Sequence, residues 1–145
     1  MILRRIALHS ILALAVLIGA GPAAAQTTTI ARLSLPEQPQ RSSDPEQETL
    51  ALQMAETLGL ACRGPEMWRW QFKEDDFPHA QAIVNAGERA FRDRGYAVTL
   101  LPVEVDIVTA MQAHAAPGAA AADANVLALW YVGELGVDLT LCRLR

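Results

Sequence analysis

The sequence predicts a small α+β domain with a mixed or antiparallel sheet of about four to five strands, two helices and one intrachain disulfide. Three observations carry this expectation. Two stretches show helical apolar spacing between clear start and stop signals, and several others alternate or are rich in β-branched and aromatic residues. The third is a single pair of cysteines, Cys62 and Cys142.

The chain divides into an export signal over 1–25, a flexible linker over 26–43 and the α+β domain over 44–145. Arg4 and Arg5 precede an uncharged, mostly aliphatic run over 6–18. Gly19, Gly21 and Pro22 then break any helix, and Ala23, Ala24 and Ala25 supply the small residues a signal peptidase requires. Cleavage is expected between Ala25 and Gln26, with no membrane span left afterwards. The linker assignment rests on Thr27, Thr28 and Thr29, on Pro36 and Pro39, and on too few apolar residues to pack alone.

The first helix is expected over 45–58. Asp44 is an N-cap, Pro45 suits the first turn, and Gln47 is placed to reach back as a reciprocal cap. Ala51, Met54, Ala55 and Leu58 form its apolar stripe, and Gly59 ends it. After a turn at Gly64 and Pro65, residues 67–73 alternate as a strand with Trp68, Trp70 and Phe72 on one face. A second helix over 77–94 begins at Asp76 and buries Ala80, Ile83, Val84, Gly87 and Phe91. Residues 96–101 read as a strand that closes a crossover unit with the strand over 67–73.

Val103, Val105 and Ile107 alternate with Glu104 and Asp106, which suggests a further strand. The segment 106–114 also fits a helical stripe, so two readings stand there. An alanine-rich loop over 115–125 leads to a hairpin of strands over 126–132 and 137–143. The first of these is apolar on both faces and must be covered twice.

Removing Arg4 and Arg5 with the signal lowers the formal net charge from −4 to −6. An acidic chain without a basic cluster excludes nucleic acid as a partner class. Neither Asn85 nor Asn125 begins a glycosylation sequon. The expected compartment is periplasmic or secreted, where Cys62 and Cys142 form a disulfide.

Residues 44–145 contain no serine, and pairing the cysteines removes a thiolate, which argues against nucleophilic hydrolysis. Glu74, Asp75, Asp76 and His79 are the densest set of candidate acid–base or metal-ligating groups. They stand at a helix start, where carboxylates also serve as caps. Trp68 and Trp70 offer either a platform for a flat ligand such as a sugar or a core. Leu135, at the hairpin tip, is a candidate partner contact. The expected function is that of a non-catalytic protein that binds another envelope protein or glycan, as accessory subunit, adaptor or enzyme inhibitor, with no cofactor and with a second copy of the chain as another candidate partner. The alternative is a small hydrolase or metal-binding protein using Glu74, Asp75, Asp76 and His79.

Overall fold

The computed structural model describes residues 25–145; the signal expected over 1–25 lies outside the described residues except for Ala25. In chain order the elements are β1 (Gln26–Thr27), β2 (Ser34–Leu35), β3 (Gln40–Ser42), α1 (Pro45–Thr57), β4 (Cys62–Gln71), α2 (Phe77–Asp93), β5 (Tyr96–Leu101), β6 (Val108–Ala115), β7 (Asn125–Gly133) and β8 (Gly136–Leu144). One six-stranded sheet has the order β3-β4-β8-β7-β6-β5, and β1 pairs with β2 in a separate ribbon. The α+β class and both helices match expectation, but the main sheet exceeds four to five strands and is antiparallel at every pairing. β4 and β5 point the same way with β8, β7 and β6 between them, so they form no adjacent crossover pair.

β7 organises the interior because it is apolar on both faces. Val126, Ala128 and Trp130 join the cluster beneath α2, while Leu127 and Leu129 join the cluster beneath α1. α2 can approach closely because Gly87 has no side chain: a methyl there would lie 2.1 Å from Trp130 Cζ2. On the other face, Ala51 and Ala55 seat α1 against Leu127, Cys142 and Leu144. Asp44 caps α1 by accepting from the backbone N–H groups of Glu46 and Gln47 at 3.0 and 3.4 Å. The Gln47 side chain does not close the reciprocal cap; it donates to Asp138 on β8 at 2.8 Å.

Within the segment 106–114, residues 106 and 107 form a turn and the rest belongs to strand β6. Its helical stripe gives way to the ladder that β7 offers along this edge, from Val108 opposite Tyr131 to His114 opposite Asn125. The strand expected at Val103, Val105 and Ile107 is absent, and these residues connect β5 to β6. β4 begins at Cys62 rather than Met67 and carries a register shift between Arg63 and Glu66, around Gly64 and Pro65. One inserted residue changes which face each later side chain takes. Cys62 therefore joins the α1 face, whereas Trp68 and Trp70 face the opposite way. Cys62 bonds Cys142 across β4 and β8, with 5.2 Å between the Cα atoms.

The flexible linker expected over 26–43 is instead part of the folded unit. Ile30, Ala31, Leu33 and Leu35 are buried in the cluster with Trp68 and Trp70. These few apolar residues cannot make a core, but they can roof an aromatic face made elsewhere. Glu66 holds the roof in place. This buried carboxylate accepts from the backbone N–H groups of Thr29 at 2.9 Å and Ile30 at 2.8 Å, from Trp68 Nε1 at 3.1 Å and from the Arg41 guanidinium. Asp123 adds a second tie, accepting from the Ala31 N–H at 2.7 Å and from Arg143 Nε at 2.7 Å. The hairpin turns at Ala31 and Arg32, both at positive φ, a conformation held only where surrounding contacts over-determine it.

Three stability outcomes follow from this packing. Glu66→Ala leaves buried donors unpaired, so it should cost about 3 kcal/mol and make residues 26–43 protease-sensitive, read by denaturant melts and limited proteolysis. Gly87→Ala gains about 1 kcal/mol of helix propensity yet should destabilise by about 1–2 kcal/mol net, because the added methyl drives into Trp130. Reduction, or Cys142→Ala, opens a loop of 80 residues. It should cost about 4 kcal/mol in the chain-entropy model, seen as a lower melting temperature.

Candidate interaction surface

At one end of the sheet, the β7–β8 hairpin tip meets the end of β4, the start of α2 and the turn between β2 and β3. The hairpin turns through Glu134 and Leu135, and the Leu135 carbonyl accepts from the Phe72 N–H at 2.8 Å. Gly136 is required here, since a Cβ would lie 2.1 Å from the Trp70 carbonyl oxygen. Leu135 is 60% exposed, and Phe77, the first residue of α2, is 62% exposed.

Phe72 stacks on the His79 ring, with centroids 4.6 Å apart and planes 18° apart. His79 Nε2 lies 2.7 and 2.9 Å from the two carboxylate oxygens of Glu37. Glu37 is presented by a turn in which Glu37 and Gln38 both take positive φ, and Trp70 Nε1 fixes that turn by donating to the Pro36 carbonyl at 2.8 Å. Asp76 accepts from the His79 backbone N–H at 3.0 Å, and its other oxygen is 3.8 Å from His79 Nδ1. Asp76 thus caps α2, and His79 is bound to a carboxylate 42 positions earlier in the chain. No local pattern in the sequence marks Glu37 as a partner of His79.

Three depressions of 280, 250 and 260 Å³ surround this end, and Gln71 lines all of them. No hydroxyl or thiol side chain lines any of the three. Each is smaller than the roughly 300–1,000 Å³ of a typical small-molecule pocket. Glu37, Glu74, Asp76 and Asp138 outnumber Arg69 and Lys73 on the rim, with Glu37 and Asp76 beside His79 and Asp138 bound to Arg69. Among the described residues, no group of three or more His, Cys, Asp or Glu side chains is placed to hold a metal ion.

A larger depression of 410 Å³ lies between the start of α1 and β4, β7 and β8. Four of its polar side chains, Asp44, Gln47, Arg69 and Asp138, are engaged with one another. Arg69 donates to both Asp138 oxygens, at 2.6 and 3.0 Å, and sits 3.5 Å from Asp44. The hydrogen bond to Asp138 raises the Arg69 pKa above its usual value. This network clamps α1 to the sheet.

The candidate residues therefore fall into two groups. Leu135 borders Gln71 in one depression and bonds Phe72 through its carbonyl, while Glu74, Asp76 and His79 border Gln71 and Phe72 in another, and Asp75 lines neither. Trp68 and Trp70 do not join them as a ligand platform: at 5% and 4% exposure they are core residues, roofed by the N-terminal segment. No helix among the described residues is long and apolar enough to cross a membrane. Compared with family models, with curated proteins and with solved structures, the chain matches none.

Proposed function

We propose that this chain is an exported, non-catalytic protein that binds another macromolecule of the cell envelope through the end of the sheet bearing Leu135 and Phe77. The observation that carries the reading is the pairing of two exposed, large apolar residues with an acidic rim and shallow relief. Such a surface suits an apolar cleft bordered by basic groups, with Leu135 as the inserted residue and the carboxylates guiding encounter. The disulfide suits an oxidising compartment outside the cytoplasm. An accessory subunit, an adaptor and an enzyme inhibitor all use surfaces of this kind.

A second reading, hydrolysis or metal binding through Glu74, Asp75, Asp76 and His79, draws on one observation: His79 stands between the carboxylates of Glu37 and Asp76. The two readings separate experimentally. A photo-crosslinking residue at position 135 or 77 in the exported chain should give one and the same adduct, weakened by salt. The same probe at Leu52, exposed on α1, should give none. Leu135→Asp should abolish the adduct of the position-77 probe without moving the melting temperature. Asp76→Ala should cost about 1 kcal/mol through loss of the cap. Equal labelling from position 52, or an activity lost on Asp75→Asn with His79→Ala at unchanged stability, would overturn the binding reading.

A further inference from the structure

The two edges of the six-stranded sheet are finished differently. β3 has three residues, follows Pro39 and carries Arg41, which makes it a short, charged edge. β5 has six residues, YAVTLL, with no charge and no proline. It runs in unbroken register with β6 from Tyr96 opposite Ala115 to Leu101 opposite Ala110, without a bulge. Among the described residues, nothing pairs with its outer side. Ala97 and Thr99 are exposed, and Leu100 is 61% exposed. Uncharged, apolar edges of this kind accept another strand unless something blunts them, and among the described residues nothing does.

We propose that β5 pairs antiparallel with β5 of a second copy of this chain, joining two sheets into one across a two-fold axis. Charge selects this occupant. Arg92, Asp93 and Arg94 precede the strand, a net basic flank in which Arg92 also bonds Glu88, while Glu104 and Asp106 follow it. Antiparallel self-pairing necessarily brings the basic flank of each copy beside the acidic flank of the other, twice by symmetry. The strand between them contributes no charge to the paired segment itself. A dyad perpendicular to the sheet at Val98 sets Leu100 opposite Tyr96 of the second copy and Ala97 opposite Thr99. That register covers the exposed leucine and leaves both copies of α2 on one face of the joined sheet. The surface lies at the opposite edge of the sheet from β3 and is independent of Leu135.

Light-scattering mass of the oxidised exported chain over a concentration series tests the pairing. The expected result is a reversible monomer–dimer equilibrium. Leu100→Lys should raise its dissociation constant at least tenfold, about 1.4 kcal/mol, without changing the melting temperature of the dilute protein. Thr99→Lys, on the other face of the strand, should act the same way, so the outcome does not hang on one variant. Glu104→Arg with Asp106→Arg should weaken the dimer most at low salt. A monomeric mass at every concentration overturns the proposal. So does a dimer that both lysine variants leave intact, or one that Leu135→Asp dissociates.

Discussion

A strand with no polar face dictates the rest of this structure. β7 places Val126, Ala128 and Trp130 on one side and Leu127 and Leu129 on the other, so neither side can be left to water. Two layers must therefore form, and each helix has the residues its side needs. α2 brings Gly87 to accommodate the Trp130 ring, whereas α1 brings Ala51 and Ala55 to lie close above Leu127 and Cys142. The small residues of each helix are fitted to the bulk of the strand beneath.

β4 carries a second demand of the same sort. Its register shift at Gly64 and Pro65 puts the cysteine on one face and the two tryptophans on the other, beyond the reach of α1. The N-terminal segment answers that demand, anchored by Glu66. A carboxylate is well suited to the task, because its two oxygens can accept several N–H groups at once from a segment with little regular structure of its own. The same segment delivers Glu37 to His79, so the roof over the tryptophans also completes the exposed end of the sheet.

What the sequence discloses is what local pattern encodes. Both helices are legible because Asp44, Asp76, Gly59 and Gly95 mark their ends and the apolar spacing lies within one segment. The hairpin is legible for the same reason, and the disulfide because only one pairing exists. The misread linker and the segment that fits two patterns depend on distant partners. Ile30 and Leu33 look insufficient until Trp68 and Trp70 stand beneath them, and residues 108–114 choose a strand because β7 provides an open ladder. At the exposed end, Leu135 could be singled out from its place in a tight turn. The Glu37–His79 pair could not, since no periodicity links positions so far apart.

The position of β8 has a consequence for the order of assembly. It is the latest strand in the chain, yet it lies between β4 and β7 and joins the β3–β4 half of the sheet to the β7–β6–β5 half. Until its nine residues are available, the sheet exists only as two unconnected pieces, each with an open central edge. Cys62 also waits, because its partner Cys142 arrives on the same strand. Before β8 is in place, no continuous native sheet exists. The fold is completed by its final strand, and the contacts that commit it span most of the chain, a topology that makes folding late and cooperative rather than sequential.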